Sequence, residues 1–254
     1  MSRGPRVAPA SSFAPLEIQP RERVFVLTGA GISAESGVRT FRDAGGLWED
    51  HRVKEVATPE AWDRNPKLVW RFYSERRRQL NEVRPNPAHF ALAELEARAQ
   101  LFLCTQNVDD LHERGGSKEV WHMHGELLSS RCEVCDRPPI RDDKLYFFEL
   151  PKCACGEGLR PDIVWFGEVP MHLDRIADAL ADCDTFMTIG SSGAVYPAAG
   201  LVAQVGRFPN RRTGKFARTI YIGPEIPENA RAFDECRLGK AGEVLPGLFR
   251  CLGA

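Results

Sequence analysis

The chain has 254 residues, of which 43% are hydrophobic and 27% are charged, and its formal net charge is −1. This length allows one large domain, or a large domain with a small module, around a substantial core. The near-zero charge gives no support for non-specific binding to nucleic acid or to a membrane surface. No apolar run reaches the roughly 18 residues that a membrane span needs.

The first twenty residues are rich in Pro, Ala and Ser and lack the continuous apolar segment of a secretion signal. We therefore interpret residues 1–20 as a flexible N-terminal extension. A transit peptide is an alternative because basic residues come first, but Glu17 and the prolines argue against it. The remainder, residues 21–254, is expected to form a single catalytic domain.

Short apolar segments that end at small polar residues recur along the chain, and helix-like stretches such as NPAHFALAELEARA and MHLDRIADALADC lie between several of them. This alternation predicts an α/β fold, with a Rossmann-like parallel sheet covered by helices on both faces. Ligands of such sheets bind at the carboxyl ends of the strands. We therefore expect four polar segments to converge on one crevice: Thr28 to Ser33, Gln106 to Asp109, His124, and Gly190 to Ser192.

The eight cysteines fall into two groups. Four are scattered in apolar surroundings and are expected to be small buried hydrophobes: Cys104, Cys183, Cys236 and Cys251. The other four are clustered in a loop-rich stretch: Cys132, Cys135, Cys153 and Cys155. Clustered cysteines without a signal peptide suggest a metal before a disulfide, and hence a reducing, cytoplasmic compartment.

Four thiolates suit tetrahedral Zn²⁺ and leave no open position for water, so the predicted zinc is structural. The zinc would hold together a small module formed by residues 131–160. A redox pair or free thiols are the alternatives. A zinc ribbon that binds nucleic acid is a third, but the charge of this stretch is mixed and no basic-aromatic face accompanies it.

The segment GAGISA follows the first strand and fits G-x-G-x-x-G/A with Gly29, Gly31 and Ala34. Such glycines let backbone N–H groups approach a pyrophosphate at a helix N-terminus, although a plain tight turn explains many such matches. The usual dinucleotide unit closes within about 30 residues. Here the next convincing strand begins near residue 101, so an ordinary dehydrogenase half-domain does not fit.

The segment WHMHGE places His122 and His124 on the same side of a strand, although a turn at Gly125 could re-aim the second. A histidine at the carboxyl end of a strand, facing the expected crevice, can act as a base near neutral pH. A structural role is the common alternative for such a histidine.

The segment RFYSERRRQL, residues 71–80, predicts an amphipathic helix with a charge in its apolar stripe. Arg76 falls among Val69, Phe72, Tyr73 and Leu80, whereas Arg71, Ser74 and Arg78 should point the other way. From this stretch alone, the simplest interpretation is an arginine that extends to the edge of the core.

Together, six stretches closely resemble the ordered motif set of the sirtuins, NAD-dependent protein lysine deacylases. They are TGAGISAESGVRTFRD (28–43), TQNVDDLH (105–112), HGE (124–126), the cysteine quartet, LRPDIVWFGE (159–168) and IGSSGAVYPA (189–198). The resemblance covers about residues 21–252. It implies a helical module, about residues 38–99, inserted after the first strand, and it implies NAD as co-substrate.

The resemblance also implies a role for each matching residue. His124 would be the general base. The NAD-binding residues would be Gly29, Ala30, Gly31, Ser33, Phe41, Arg42, Trp48, Gln106, Asn107, Asp109, Gly190, Ser191, Ser192, Gly223, Glu225 and Ala241. The acylated lysine would lie in an extended peptide against Val164, Phe166, Gly167, Glu168 and Val195.

One sirtuin subgroup carries Tyr-x-x-Arg beside the acyl-lysine channel, and Tyr73 and Arg76 match that pair. The resemblance therefore implies a preference for succinyl and malonyl groups, with some deacetylation. Two positions depart from the family pattern: Gly223 stands where Asn is frequent, and Ser191 where Thr is usual. Neither departure is expected to abolish the chemistry.

Two other functions use the same pocket: an NAD-dependent protein ADP-ribosyltransferase, and an NAD sensor without turnover. The intact set of Gln106, Asn107, Asp109 and His124 argues against the sensor. Transfer of ADP-ribose stays open, because both reactions begin by breaking the same glycosidic bond. The expected partners are acylated protein lysines, without nucleic acid or membrane, and the chain is expected to be a monomer.

Overall fold

A computed structural model describes residues 4–38, 47–48 and 51–251 of the protein. The strands are β1 Arg6–Pro9, β2 Leu16–Ile18, β3 Arg23–Thr28, β4 Leu47–Trp48, β5 His51–Arg52, β6 Gln100–Thr105, β7 Val120–His122, β8 Gly125–Cys132, β9 Ile140–Arg141, β10 Leu159–Ile163, β11 Thr185–Ile189, β12 Arg218–Gly223, β13 Glu235–Leu238 and β14 Phe249–Cys251. The α-helices are α1 Ala30–Ala34, α2 Val53–Val56, α3 Pro59–Arg64, α4 Pro66–Leu80, α5 Pro87–Glu96, α6 Leu111–Arg114, α7 Leu173–Asp182, α8 Leu201–Arg207 and α9 Ala241–Val244. Short 3₁₀ helices span Ala10–Ser12, Ala198–Gly200 and Ala230–Ala232.

The main sheet has seven parallel strands in the order β1-β13-β12-β11-β3-β6-β7. Alternate residues of β3 supply two separate cores: Val24 and Val26 pack with α5 and α9 on one face, and Phe25 and Leu27 pack with α7 and α8 on the other. A strand buried on both faces reads as a continuous apolar run, which is the pattern of RVFVLT. The predicted α/β fold with helices on both faces is confirmed.

The N-terminal segment is part of the fold. Strand β1 pairs with β13 at the edge of the main sheet, and β2 pairs with β14. Leu16 and Ile18 are 2% and 1% exposed and belong to the core beside α5 and α9. The prediction of a flexible extension over residues 1–20 is therefore wrong for residues 6–18, where two apolar side chains two positions apart are enough to anchor a short strand.

The helical insertion builds its own core. Helices α2, α3 and α4 pack around Val56, Val69 and Tyr73, together with residues of β8 and β10. Helix α5 instead places Ala88, Leu92 and Leu95 against the main sheet. The insertion predicted for residues 38–99 therefore ends before α5. Within the described ranges, no helix is long and apolar enough to cross a membrane.

Strands β10, β8 and β9 form a small antiparallel sheet that carries the cysteine cluster and covers a second face of α4. The Tyr146 backbone N–H donates to the Ser74 hydroxyl over 2.7 Å, and Ser74 is fully buried. The prediction that Ser74 points away from the core is wrong, because residues after β9 cover that side of the helix. Arg71 and Arg78 are exposed, as predicted.

Candidate active site

The polar segments predicted to converge do so at the carboxyl ends of β3, β6, β7 and β11. The Gln106 N–H donates to the Thr28 carbonyl over 2.9 Å, and the Gly29 N–H donates to the Ile189 carbonyl over 2.9 Å. The Met123 N–H, just after β7, donates to the Thr105 carbonyl over 3.0 Å. The loops that follow these four strands therefore share one crevice.

The glycine-rich turn before α1 packs directly against the end of β11. A Cβ on Gly31 would come within 2.7 Å of the Gly190 carbonyl oxygen, and a Cβ on Gly29 within 2.9 Å of the same atom. Gly190 has a φ of +63°, which side chains other than glycine rarely adopt. Glycine is required at all three positions because two backbone segments touch here. Ala30, at the start of α1, is exposed beside them.

A hydrogen-bonded set of side chains lines the turn. The Asn107 side-chain amide donates to the Ser33 hydroxyl over 3.0 Å and to the Gly29 carbonyl over 3.2 Å. The Ser33 hydroxyl also hydrogen-bonds with Asp109, whose carboxylate accepts from the Leu111 N–H. The Gln106 amide donates to the Ser191 hydroxyl over 3.0 Å. These contacts join predicted NAD-binding residues from the turn, from the loop after β6 and from the loop after β11.

Asp109 is 6% exposed, and burial raises the pKa of its carboxyl group. The bonds from Leu111 and Ser33, and the positive charges of His122 and Arg76, act in the opposite direction. Burial is the larger effect, so the pKa of Asp109 is raised overall, and the hydrogen bonds and positive charges offset only part of the cost of burying the carboxylate.

His124 lies at the turn between β7 and β8, with its Nδ1 3.1 Å from the Gln106 carbonyl oxygen. A carbonyl only accepts, so Nδ1 carries the proton and Nε2 holds the lone pair. Burial lowers the pKa of His124, and the bond to Gln106 offsets only part of that effect. The imidazole is therefore neutral near pH 7, as a general base must be.

The loop after β10, which carries the predicted peptide-binding residues, is fixed by contacts between Arg160, Trp165 and Glu168. The Arg160 guanidinium donates to both carboxylate oxygens of Glu168, over 2.7 and 3.0 Å, and lies 3.3 Å from the Trp165 ring centroid. Glu168 also accepts from the Trp165 N–H over 2.8 Å. The predicted substrate residue Glu168 thus uses its carboxylate to fix the loop that carries Phe166 and Gly167.

Backbone hydrogen bonds join the loop after β10 to His124 and to the helical insertion. The Val164 N–H donates to the His124 carbonyl over 2.9 Å, and the Phe166 N–H donates to the Ala57 carbonyl over 3.0 Å. Phe166 is 49% exposed, and Gly167 has a φ of +95°. Val195 is half-buried in the loop after β11. An exposed aromatic beside the crevice is compatible with a peptide-binding role.

The remaining predicted NAD-binding residues are spread along the crevice. Ser192 is half-buried, Glu225 is exposed, and Ala241 is buried at the start of α9. A Cβ on Gly223 would overlap the Tyr221 hydroxyl, which explains why this chain has no larger residue there. Phe41 and Arg42 lie outside the described residues, and for Trp48 only the backbone of β4 is described.

The four clustered cysteines fit a structural zinc. Their sulfur atoms all lie within 4.8 Å of one another, and the pairs Cys132–Cys155 and Cys135–Cys153 are 3.7 and 3.6 Å apart. A disulfide would need about 2.05 Å. Four thiolates around an ion at about 2.3 Å in a tetrahedron would be about 3.8 Å apart, which matches these distances.

One buried network was not predicted from the sequence. The Thr28 hydroxyl donates to the Thr105 hydroxyl over 2.8 Å and lies 3.0 Å from His112 Nε2, and Thr105 accepts from the Asn107 N–H. His112 was part of the quoted motif TQNVDDLH, but its spacing alone gave no sign of a partner on β3. The network ties the ends of β3 and β6 together beneath the crevice.

Fold and site define a Rossmann-like α/β protein with a dinucleotide crevice and a zinc-binding module. Residues 29–197 match the model of the Sir2 family. The chain is 51% identical over 236 residues to the NAD-dependent protein deacylase of Pasteurella multocida (strain Pm70), covering 88% of this chain and 95% of that protein. It therefore belongs to the Sir2 family, and the assignment to the sirtuins from sequence is confirmed.

Solved structures agree with this assignment. A point mutant of a Sir2 homologue in complex with ADP-ribose matches with a TM-score of 0.81 and 40% identity, over 89% of this chain and 90% of that chain. A Sir2 homologue in complex with NAD matches with a TM-score of 0.79 and 40% identity, over 89% and 87%. The glycine turn and its polar cluster fit the NAD that the sequence predicted.

Proposed function

We propose that this chain removes acyl groups from protein lysines at the expense of NAD, with a preference for succinyl and malonyl groups. The crevice, the neutral His124 and the close deacylase relatives support the general activity. The acyl preference rests on one observation, the placement of Tyr73 and Arg76 on α4 next to Trp165 and Asp109.

Bound NAD would supply an electrophilic ribose carbon and nicotinamide as leaving group. Asn107, Ser33 and Asp109 would orient the ribose beside the glycine turn. His124 Nε2 would take a proton from a ribose hydroxyl, because its Nδ1–H is engaged by Gln106. The acyl oxygen of the modified lysine would attack the ribose carbon as nicotinamide leaves. Water would then complete the release of free lysine, and the acyl group would remain on the ribose as an O-acyl-ADP-ribose.

The acyl end of the substrate would lie between α4 and the loop after β10. The Trp165 Nε1–H donates to the Tyr73 hydroxyl over 3.1 Å. The N–H of the preceding residue, Val164, donates to the His124 carbonyl. The charge of Arg76 acts on both Tyr73 and Asp109. A pocket between these groups would therefore place a carboxylate within reach of a guanidinium and a phenol, and close to the base.

A carboxylate is the ligand that such a pair recognises best. A guanidinium can hold it in a fork while the phenol donates a further hydrogen bond. Arg76 is only 8% exposed, and a charge in such a site gains from an anionic partner. A charge-assisted interaction of about 1.5–3 kcal/mol corresponds to about one to two decades in specificity. Water in place of the carboxylate would let some deacetylation survive.

Arg77 provides an instructive contrast. Its guanidinium is fully buried and donates to the carbonyls of Leu127 and Lys144 over 2.8 and 2.7 Å, with Asp142 3.3 Å away. Arg77 therefore joins α4 to the small sheet, and it is a structural residue. Two neighbouring arginines on one helix thus have different surroundings.

The test is Arg76→Met, which keeps bulk and removes charge, with Arg78→Met on the exposed face as its control. We expect Arg76→Met to lower kcat/KM for a succinyl-lysine peptide about tenfold to a hundredfold, mainly by raising KM. The kcat/KM for the matched acetyl-lysine peptide should fall far less. Equal losses on both peptides would refute the acyl preference. Mass spectrometry of the products separates deacylation from transfer of ADP-ribose to protein.

A further inference from the structure

His122, the last residue of β7, is buried beside the crevice, and both of its ring nitrogens have partners. Its Nδ1 is 2.9 Å from the Asn107 carbonyl oxygen, and its Nε2 is 2.8 Å from a carboxylate oxygen of Glu113 on α6. A carbonyl only accepts, and so does an ionised carboxylate. With both nitrogens facing acceptors, the ring is an imidazolium that donates twice.

The two histidines of WHMHGE therefore hold two consecutive carbonyl groups. His124 bonds to the Gln106 carbonyl, and His122 bonds to the Asn107 carbonyl. The other polar groups of Asn107 are also engaged, since its N–H donates to Thr105 and its side chain donates to Ser33 and Gly29. Among these contacts of Asn107, the bond from His122 is the one that depends on a titratable group.

Several charged or titratable groups face His122 from the surrounding elements. They are Glu113 and His112 on α6, Glu126 on β8, Asp109 in the loop after β6, and His172 before α7. Burial lowers the pKa of His122, but the hydrogen bond and charge of Glu113, the bond to the Asn107 carbonyl and the charge of Glu126 together raise it overall. The charged form is thus favoured by its immediate partners.

We propose that the His122–Glu113 ion pair is a positioning device for Asn107. By fixing the Asn107 carbonyl, the pair keeps the side-chain amide on Ser33 and Gly29, in the geometry that receives the nicotinamide end of NAD. His122 touches no substrate and acts only through Asn107. The inference rests on the proposed role of Asn107 in NAD binding.

Two isosteric substitutions separate the two bonds. His122→Asn places an amide N–H near the position of Nδ1 and keeps the bond to the Asn107 carbonyl. His122→Gln places its amide near Nε2 and keeps only the bond to Glu113. We expect His122→Gln to raise KM for NAD about tenfold with a smaller effect on kcat, and His122→Asn to recover most of that loss at similar Tm. Equal KM values for the two variants, or losses that follow Tm, would overturn the proposal.

Glu113→Gln is the second test, and its half-exposed side chain makes it tolerable to the fold. It removes the charge that favours the imidazolium. In the wild type, KM for NAD should rise as the pH increases through the raised pKa of His122. The Glu113 carboxylate holds the remaining proton on Nε2, so the neutral ring loses the Nδ1–H that donates to the Asn107 carbonyl. In Glu113→Gln the neutral ring can keep its Nδ1–H on the Asn107 carbonyl and accept at Nε2 from the new amide, so this rise should be absent. An unchanged pH profile would also overturn the proposal.

Asn107→Ala separates the proposed role of Asn107 in NAD binding from the positioning role of the His122–Glu113 pair. If it leaves NAD use unchanged, then the proposed role of Asn107 fails. If it abolishes NAD use while His122→Gln and Glu113→Gln behave as wild type, then only the positioning role fails. Binding of ADP-ribose, measured by calorimetry, gives the same comparison without turnover.

Discussion

The indole Nε1 of Trp165 donates a hydrogen bond to the Tyr73 hydroxyl over 3.1 Å, and both side chains are almost completely buried. An indole N–H only donates, so it occupies a lone pair of the phenol oxygen and leaves the hydroxyl proton to be donated elsewhere. Burial raises the pKa of Tyr73, which keeps the phenol protonated. Trp165 therefore orients Tyr73 as a hydrogen-bond donor.

The first prediction concerns that bond. Trp165→Phe keeps an aromatic ring against Arg160 and removes the N–H. Loss of a hydrogen bond between neutral groups should lower kcat/KM for a succinyl-lysine peptide about threefold to tenfold and leave acetyl-lysine turnover nearly unchanged. In a Tyr73→Phe background, the same substitution should have no further effect on the succinyl peptide. Additive losses in the double variant would show that Trp165 acts through packing alone.

The second prediction concerns the base. His124→Ala should lower deacylation about 10²–10⁴-fold while still binding NAD, as calorimetry would record. Near-normal turnover would exclude the assignment. In the wild type, only the neutral imidazole can take a proton, and burial lowers its pKa from 6.5. Activity should therefore be present above pH 6.5 and fall as the pH decreases through the lower pKa, in a kcat/KM profile from about pH 5 to 8.

The third prediction concerns the zinc-binding module. Cys132→Ser should remove the bound metal and lower Tm by at least about 5 °C, because metal binding is coupled to folding of the small sheet. The matched control is Val134→Ser. Val134 lies between Cys132 and Cys135 and is 70% exposed, so this substitution should keep both the zinc and the Tm. Elemental analysis that finds no zinc in freshly purified, active wild-type protein would contradict the assignment.

The central strands and the crevice were predictable because their signals are local. A strand such as β3 is a continuous apolar run followed by glycine, and parallel strands bring their carboxyl ends together. Strands β1 and β2 have only four and three residues and lie among prolines, so their pairing partners more than 200 positions away decide their structure. A short stretch of sequence does not contain that information.

The surroundings of α4 show the same limit. Helical periodicity correctly placed Tyr73 and Arg76 on the buried face. It could not reveal that Ser74 and Arg77 are buried as well, because the residues that cover them lie on β8 and in the zinc-binding module, about 50 to 70 positions later. The partner of Trp165, Tyr73, was hidden for the same reason, since it lies 92 positions away in the chain. Periodicity assigns faces to an element, and only the fold shows what covers them.

The last prediction concerns Gly223, where the family frequently has Asn. The Tyr221 hydroxyl fills the space that a side chain at 223 would need, and Tyr221 is itself held in the core beside Phe233 at a ring distance of 5.8 Å. Gly223→Asn must therefore displace a buried ring, at a cost of about 1–3 kcal/mol in the free energy of unfolding. Chemical denaturation would measure this loss, and KM for NAD should rise with it because the end of β12 borders the crevice.

Two further variants test the cause. Gly206→Asn is the matched control, since a Cβ at that exposed helical position contacts nothing within 4 Å, and its effect should stay within about 0.5 kcal/mol. Tyr221→Val removes the ring, so Gly223→Asn should destabilise the protein much less in that background than in the wild type. The same cost in both backgrounds would mean that the Tyr221 ring does not determine the preference for glycine at position 223.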